Sequence, residues 1–386
     1  MDKAERTGGL GLQGDALRIG VDIGGNDIKF GATNITADPL LPDQLVKRPS
    51  LTADGPQKTA EQIIDGVAAV LEKLRSDWAM VLDVSVTVPC PCSAEGVILD
   101  VTNLGASETK HLWKVAFGDI LGERLNEVAG RDIPVFACND ANAAGQDDDF
   151  TRYGHDDSPR TSIFITTGTG LGGCVLINGT VFFGAGQAGE LGHVKAAIPE
   201  QYAERFAADE YPPCGCGARQ CVEARASLTA LTRRVQWALS DTGLAVVERQ
   251  LAARRESLDA NVVRQLRKYL TESPRKAAYQ VRTYADGHGD ALCRWLLEDW
   301  AIMIGALFAS VAPVVHPNLC VIGGGMTEVS EAMKDWFIAI VRRVFDEVNQ
   351  QACFNRASNK NEIVWSVSQD QGWRGAILMA MRAHGV

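Results

Sequence analysis

The stretch RIGVDIGGNDIKFG, from Arg18 to Gly31, decides how the rest of the chain is interpreted. A β-branched strand runs into the carboxylate of Asp22, the pair Gly24 and Gly25 follows, and a second alternating strand carries Lys29. Glycine permits positive φ and, lacking a Cβ, lets backbone N–H groups approach an anion. The pattern predicts a hairpin at a phosphate with Asp22 placed to hold a hydrated metal, and an ordinary hairpin turn is the open alternative.

Composition limits the class of protein. The chain has 386 residues, of which 46% are hydrophobic and 22% charged, as in a globular protein of two or three domains. A net charge of −10 argues against a general electrostatic grip on nucleic acid or an acidic membrane. No apolar run is expected to approach the roughly 18 residues of a membrane span, and residues 1–16 contain no signal-peptide core. The sequence predicts a cytoplasmic protein without membrane or nucleic-acid contacts.

Strand and helix patterns alternate along the chain. Apolar residues recur at helical spacing in 56–78 and β-branched residues run through 81–88, and the same alternation continues to the C-terminal helix at 373–383. A second glycine hairpin, SIFITTGTGLGGCVLING, follows Thr161, and a third strand-and-turn signal covers 319–328. The pattern predicts α/β layers around a central sheet, with one hairpin design used twice.

Three cysteines and a histidine form the most specific chemical signal. Cys214, Cys216 and Cys221 lie within eight positions of CGCGARQCVE, and His193 precedes them in GELGHV. A loop this tight makes the sulfurs converge, and the histidine completes a tetrahedral Cys₃His zinc set without an open position, so the ion is expected to be structural. Three unrelated buried cysteines are the alternative.

Polar residues also follow the strand predicted at 133–138. Asn139 and Asp140 stand at its carboxyl end, where α/β sheets bind ligands, and an aspartate there can accept a hydroxyl proton. An N-cap for the next helix is the other reading. The turns Thr166–Gly173 and Gly323–Gly325 offer hydroxyl and N–H groups to a nucleotide, although each is a weak signal alone.

The order of these motifs resembles the ROK family of sugar kinases and related repressors. DIGG followed by Lys29, then NDAN, TTGTGLGG, GELGH, CGCGxxxCVE and IGGG occur in the family's order across residues 17–386. The resemblance implies an α/β fold of the two-lobed actin-like ATPase and hexokinase type, with a helical insertion in the larger lobe. The implied division is a disordered lead-in (1–16), a small lobe (17–138 plus 369–386) and a large lobe (139–368) with a zinc loop (193–223) and a helical region (227–312).

The resemblance also implies roles for residues. Asp140 matches the general base that takes the proton of the sugar hydroxyl. The positions that match sugar contacts are Asn103, Asn139, Glu190, His193 and Glu223, with His193 also a zinc ligand. The positions that match nucleotide contacts are Asp22, Gly24, Gly25, Asn26, Lys29, Thr167, Gly168, Thr169 and Gly324. ATP, Mg²⁺ anchored by Asp22, and a structural Zn²⁺ are the implied cofactors, and a homodimer with a small-molecule sugar as substrate is implied as well.

The implied activity is ATP-dependent phosphorylation of a hexose hydroxyl, with glucose to glucose 6-phosphate as the first expectation. An N-acyl-hexosamine kinase acting on N-acetylmannosamine or N-acetylglucosamine, and a catalytically weak sugar-binding protein, stay open. A sugar-sensing repressor is disfavoured because only 16 residues precede the kinase-like core, too few for a helix-turn-helix.

Several positions depart from the family pattern. Asn26 stands where threonine usually follows DIGG, and Cys90 between two prolines replaces the glycine of a proline-glycine turn. Gln220 stands where glycine usually precedes the last cysteine, and the segment 240–290 is longer than in compact members. These departures leave the fold better supported than the activity.

Overall fold

Two compact units make up the chain in the computed structural model. The structure describes residues 16–384 apart from 26, 41–44, 94–95, 100, 102–103, 107, 208–211, 350–360 and 369–371. Unit 1 comprises Met1–His155, Phe183–Gln187 and Asp370–Val386, and unit 2 comprises Asp156–Phe182 and Ala188–Gln369. The expectations for Asn26, Asn103 and all but the last residue of the lead-in lie outside the described residues.

The regular elements follow one another as strands, helices and short connections. The strands are β1 (Leu17–Ile23), β2 (Asp27–Thr33), β3 (Val46–Pro49), β4 (Val81–Val88), β5 (Val135–Asn139), β6 (Thr161–Thr167), β7 (Leu171–Ile177), β8 (Thr180–Val181), β9 (Leu319–Gly324) and β10 (Glu362–Trp365). The helices are α1 (Pro56–Leu74), α2 (Phe117–Ala129), α3 (Asp140–Tyr153), α4 (Ala203–Ala207), α5 (Leu228–Ala238), α6 (Asp241–Ala253), α7 (Ala260–Glu272), α8 (Pro274–Gly287), α9 (Ala291–Val315), α10 (Glu331–Asn349) and α11 (Gly372–His384).

The two sheets have the same strand plan. Unit 1 has the order β3-β2-β1-β4-β5 and unit 2 the order β10-β9-β6-β7-β8. In each sheet, three consecutive strands form an antiparallel meander, β1-β2-β3 in unit 1 and β6-β7-β8 in unit 2. A later strand, β4 or β9, pairs in parallel with the first strand of that meander, and a last strand, β5 or β10, pairs in parallel with it in turn. The predicted α/β architecture with one design used twice is confirmed.

Helix α3 groups with unit 1, whereas the sequence expectation began the larger lobe at residue 139. The physical reason is close packing of α3 on α11: a Cβ at Gly375 would overlap the backbone of Ala143, so the two helices meet at their main chains. Residues 139–155 therefore share the compact body of unit 1. Helices α5 to α9 fall between β8 and β9 and account for the predicted helical region.

Helix α9 is the core helix of unit 2. It has 25 residues, and its most apolar window has a mean hydropathy of 1.5, so by length and composition alone it is able to cross a membrane. The expectation that no apolar run approaches the length of a membrane span is wrong for this helix, in which only Glu298 and Asp299 interrupt a long apolar sequence after Arg294. In the structure 78% of that window is buried, and its apolar side chains belong to the hydrophobic core of unit 2. Such burial is typical of a core helix.

A pair of glycines in the opening hairpin creates the docking surface for α11. Gly20 of β1 stands directly opposite Gly31 of β2 in the antiparallel register. The ring of Trp373, which is 2% exposed, lies over Gly31, and a Cβ added at Gly31 would come within 2.5 Å of that ring. A Cβ at Gly20 would overlap the backbone of Trp373. The missing side chains therefore let the helix approach the sheet.

We predict that Gly31→Ala destabilises unit 1 by about 1–3 kcal/mol, because the added methyl group overpacks the Trp373 contact. For a unit of this size, each kcal/mol lowers the melting temperature by roughly 2–4 °C. The matched control is Gly25→Ala in the same hairpin, where a Cβ meets no atom within 4 Å. Thermal unfolding of both variants measures the effect, and an equal melting temperature for the two would contradict the packing argument.

Candidate functional site

Polar side chains lie at or next to the carboxyl ends of three neighbouring strands of unit 1. In the parallel registers Asp22 of β1 pairs with Thr87 of β4, and Thr87 pairs with Cys138 of β5. Asn139 and Asp140 follow one step further along β5 and into α3. The carboxyl ends of parallel strands form the ligand-binding edge of an α/β sheet. The structure thus brings Asp22 and the Asn139–Asp140 pair to the same edge of the same unit.

Asp22 is held by partners on two elements. Thr87 donates from Oγ1 to Asp22 Oδ1 over 2.7 Å, and Lys29 Nζ lies 4.0 Å from Asp22 Oδ2. A Cβ at Gly372 would lie 3.0 Å from Asp22 Oδ1, so the carboxylate also stands against the first residue of α11. Sequence reasoning missed Thr87, although a polar residue at the end of a buried strand was the available signal.

The two glycines of this hairpin turn have a different structural role from the one that the sequence predicted. Neither Gly24 nor Gly25 has a positive φ. Gly24 is required by a close approach, because its Cβ would lie 2.8 Å from the carbonyl oxygen of Asp27, to which Gly24 also donates its N–H. At Gly25 no atom of the described residues other than its chain neighbours lies within 4 Å of the Cβ position, which leaves space beside this backbone. The expectation of positive φ was wrong, and the expected room beside the backbone exists at Gly25.

Asn139 is the N-cap of α3, which is the structural role that the sequence left open. Its Oδ1 accepts from the amides of Ala141 (3.0 Å) and Asn142 (3.1 Å). Its Nδ2 donates to the carbonyl of Cys90 and to Asp140 Oδ1, each over 3.1 Å. Asp140 is the first residue of the helix, half-buried, and its Oδ1 accepts from Ala141 N over 2.8 Å. The N-terminus of α3 lies next to this carboxyl group and interacts favourably with negative charge there.

The corresponding turn of unit 2 joins β6 to β7 through Gly168, Thr169 and Gly170. Thr167 is buried, and its hydroxyl donates to the carbonyl of Gly323 on β9 over 3.1 Å, so this hydroxyl ties two strands together. Gly324 has φ 83°, and a Cβ there would overlap the backbone of Thr167. The structure therefore places Thr167 and Gly324 side by side, with Gly324 in a conformation that favours glycine.

A cation that the sequence did not single out reaches this turn. Arg275, in the first turn of α8, donates from Nη2 to Thr169 Oγ1 over 2.7 Å and is exposed. The other side of the turn is fixed to α5, whose residue Thr229 donates from Oγ1 to the carbonyl of Thr169 over 2.8 Å. No local sequence signal links residues 106 positions apart, which is why Arg275 was missed.

The predicted cysteines and histidine converge in unit 2. One ligand atom from each of His193, Cys214, Cys216 and Cys221 lies within 4.8 Å of all the others. Cys214 Sγ is 3.6 Å from His193 Nδ1, and Cys216 Sγ is 3.6 Å from Cys221 Sγ. Tetrahedral zinc with ordinary Zn–S and Zn–N bonds requires ligand separations of roughly 3.5–3.8 Å. The donor set and its spacing therefore fit a zinc ion.

The surroundings of the cluster favour thiolate at its exposed end. Lys195 donates from Nζ to Cys221 Sγ over 2.7 Å, and this hydrogen bond raises the pKa of Lys195. Burial alone would raise the pKa of Cys216, but hydrogen bonds from the Ala218 backbone and from Cys214 and Cys221 outweigh it and lower that pKa. Burial raises the pKa of Cys214. Sequence reasoning missed Lys195, two residues after the predicted ligand His193.

Two carboxylates link the cluster to the β6–β7 turn. Glu223 accepts from Cys214 Sγ at Oε1 (3.3 Å) and from Leu171 N at Oε2 (2.9 Å), and a Cβ at Gly170 would lie 2.5 Å from it. Glu190 Oε2 lies 3.9 Å from His193 Nε2, and burial raises the pKa of Glu190. His193 thus directs Nδ1 toward the sulfurs and Nε2 toward Glu190. This geometry allows one ring nitrogen to bind a metal while the other faces the carboxylate.

Gln220 stands at a position where the family resemblance led us to expect glycine. Gln220 has φ 65°, in the left-handed region that a residue with a Cβ adopts only at a cost. Gly217, three residues earlier in the same loop, has φ 83°. The tight loop between Cys216 and Cys221 therefore contains two left-handed positions, and this chain fills one of them with a strained residue.

The chain resembles known proteins along nearly its whole length. The model of the ROK family matches residues 18–383. A glucokinase from Halalkalibacterium halodurans is 27% identical over 83% of this chain and 83% of its own length. An N-acetyl-D-glucosamine kinase from Histophilus somni is 28% identical over 54% of this chain and 61% of its own length.

A solved structure shows the same fold. It is a ROK family glucokinase from Streptomyces griseus in complex with glucose and AMPPNP. The match has a TM-score of 0.64 at 23% identity and covers 94% of this chain and 98% of that one.

We predict opposite stability changes at the two left-handed positions of the cysteine loop. Gln220→Gly should raise the free energy of unfolding by roughly 0.5–1 kcal/mol, since removing the Cβ relieves the left-handed strain and costs some backbone entropy. Gly217→Gln should lower it by about 1 kcal/mol or more, and only through φ, because no atom lies within 4 Å of its Cβ position. Urea denaturation of both variants tests this, and shifts of the same sign would refute it.

Proposed function

This chain belongs to the ROK family, and from that membership we propose that it is an ATP-dependent sugar kinase. The substrate that we propose first is glucose, which the enzyme would convert to glucose 6-phosphate. The observation that carries the proposal is the polar edge of unit 1. There Asp22, Thr87 and the Asn139–Asp140 pair line up at the carboxyl ends of β1, β4 and β5. Phosphoryl transfer needs positioning and charge stabilisation more than covalent chemistry, and such an edge supplies them.

In this proposal Asp140 accepts the proton of the attacking sugar hydroxyl. Its carboxylate is half-buried, fixed by the amide of Ala141 and by the side chain of Asn139, and stands at the N-terminus of α3. A fixed carboxylate can orient the hydroxyl oxygen toward phosphorus and take its proton as the bond forms. Asn139 keeps its side chain in the N-cap, so we assign it the role of fixing Asp140.

The nucleotide contacts are assigned to the two glycine turns. The space beside Gly25 suits phosphate oxygens, and Lys29, on the strand that follows this turn, supplies a positive charge 4.0 Å from Asp22. In unit 2 Gly168, Thr169 and Gly324 are assigned to the nucleotide, with Arg275 as an added cation. Mg²⁺ would supply charge neutralisation for the phosphates, and Asp22, already bound to Thr87 and Lys29, fits a role of holding its hydration shell.

The zinc proposal rests on the donor set and its 3.6 Å separations. With four protein ligands the ion would be structural and would fix the loop that carries Glu190 and Glu223. A zinc-bound Cys214 is a thiolate and no longer donates to Glu223 Oε1. That oxygen is then available to a sugar hydroxyl, while Oε2 still holds the β6–β7 turn through Leu171.

An N-acyl-hexosamine kinase is the second candidate. The observation in its favour is the 28% identity to the N-acetyl-D-glucosamine kinase from Histophilus somni. A coupled ADP-release assay with glucose, mannose, fructose, N-acetylglucosamine and N-acetylmannosamine, each with ATP and with polyphosphate, separates the two candidates. Preference for an N-acetylated sugar by kcat/KM would replace glucose as the substrate. No phosphate transfer to any sugar would leave a sugar-binding protein.

We predict that Asp140→Asn lowers kcat for the best sugar by about 100-fold or more, because a general base contributes roughly 10²–10⁴ to the rate. The amide keeps the size of the side chain, so sugar binding and melting temperature should change little. Glu123→Gln on α2, an exposed carboxylate away from the strand edge, is the control. Unchanged turnover in Asp140→Asn would remove Asp140 from the role of base.

We predict about one zinc per chain in protein purified without chelator, as a complete four-ligand site requires. Cys216→Ser should lose the metal and lower the melting temperature, since binding energy contributes to folding. Cys320→Ala is the control, because Cys320 is buried in β9 and does not belong to the four-residue cluster. Mass-spectrometric metal analysis measures the content, and metal-free parent protein, or equal zinc in the two variants, would overturn the assignment.

A further inference from the structure

A pocket of about 150 Å³ lies within the helical part of unit 2. Its walls come from the C-terminal end of α6, from the first turns of α9 and from α10, and none of its residues belongs to the sites described above. A space of this size holds several water molecules. It is large enough for a phosphate group and part of the molecule attached to it.

Three arginines from three segments line this pocket: Arg254, Arg294 and Arg343. Glu298, 7% exposed, is the main carboxylate among them, and it is shared. Arg254 donates to its Oε2 over 2.6 Å, Arg343 Nη2 lies 3.6 Å from its Oε1, and Arg205 donates to Oε2 over 3.1 Å from outside the pocket. One carboxylate therefore serves three guanidinium groups.

Arg294 differs from the other two because it is not paired with Glu298. Its guanidinium carbon lies 5.9 Å from the centre of the Trp336 ring, and its Nε reaches the carbonyl of Ala285 only at 3.4 Å. The side chain is exposed. Among the residues that the structure describes, the remaining guanidinium donors of Arg294 have no hydrogen-bond acceptor. A planar guanidinium of this kind pairs with the oxygens of a phosphate through two parallel hydrogen bonds.

The remaining walls offer what a sugar ring needs. Trp336 and Trp295 both line the pocket, and Trp336 is half-buried, so part of its surface is accessible. Glu256 is exposed at the pocket and can accept hydrogen bonds from hydroxyl groups. Arginines for an oxyanion with more than two oxygens, an aromatic surface for C–H groups and a carboxylate for hydroxyls are the recognition elements of a phosphorylated sugar.

We propose that this pocket is a binding site for a small phosphorylated sugar, separate from the residues assigned to phosphoryl transfer. The phosphate contacts Arg294 and Arg343, with Arg254 adding charge, and the sugar lies toward Trp336 and Glu256. The site would give the long helical region of unit 2 a function of its own. Binding here requires no catalysis, so it stands or falls independently of the kinase assignment.

Isothermal titration calorimetry of the full-length protein with glucose 6-phosphate tests the site, with inorganic phosphate and glucose as further probes. Glucose is kept saturating in one series so that a sugar site elsewhere is filled. We expect saturable binding of glucose 6-phosphate that glucose does not displace, and weaker binding of inorganic phosphate. Arg294→Gln and Arg343→Gln should each weaken binding about tenfold or more, as loss of a hydrogen bond to a charged group does.

Arg249→Gln is the matched control, because Arg249 lies on α6, has a 70% exposed side chain and does not line the pocket. The side chain of Arg343 is 50% exposed and that of Arg294 is exposed, so both substitutions leave the core intact, as equal melting temperatures will verify. Undiminished binding to the Arg294→Gln/Arg343→Gln double variant, displacement by glucose, or no binding to the parent at millimolar ligand would each overturn the proposal. Sugar-dependent ADP release by the double variant should equal that of the parent.

Discussion

The contact of Trp373 with the glycine pair Gly20 and Gly31 is the constraint on which unit 1 depends. It allows α11 to lie directly on the β1–β2 hairpin, and this brings the first residue of the helix against Asp22. The same helix meets α3 backbone to backbone at Gly375 and Ala143. Because α3 begins at Asp140, one packed helix fixes both ends of the polar strand edge. Because Gly20, Gly31 and Gly375 have no side chains, α11 can pack closely enough to fix the positions of the carboxylates of Asp22 and Asp140.

How much the sequence could predict follows from the range of each interaction. The repeated hairpin design and the Cys–His cluster were predictable, because strand alternation and close ligand spacing are local signals. The role of Gly31 was not, since its partner Trp373 is more than 300 residues away. The sequence suggested that Gly24 and Gly25 are needed for positive φ, but neither has a positive φ in the structure. Gly24 is needed because the chain approaches it closely, and Gly25 leaves space beside the backbone. Arg275 carries no local signal for its contact with Thr169.

In unit 2 hydrogen bonds connect the four-residue cluster to the β6–β7 turn. Glu223 joins them, because one carboxylate oxygen meets Cys214 and the other meets the amide of Leu171. His193 adds Glu190 to the same system through its second ring nitrogen. A change at the sulfurs therefore alters the hydrogen bonding of both carboxylates. The left-handed conformation of Gln220 lies in the same loop, so backbone strain is located next to these carboxylates.

The helical region of unit 2 contains a buried group of paired charges. Asp299 on α9 is 3% exposed and accepts from Arg205 and Arg234, which also lie 4.3 and 4.7 Å from the Trp295 ring. Buried ion pairs seldom stabilise a core more than apolar residues of similar size would, because desolvation offsets the attraction. Their value lies in fixing orientation. Here they fix Trp295 and hold Glu298 next to Arg254, so the packed core of α9 determines the charge that the neighbouring pocket presents to a ligand.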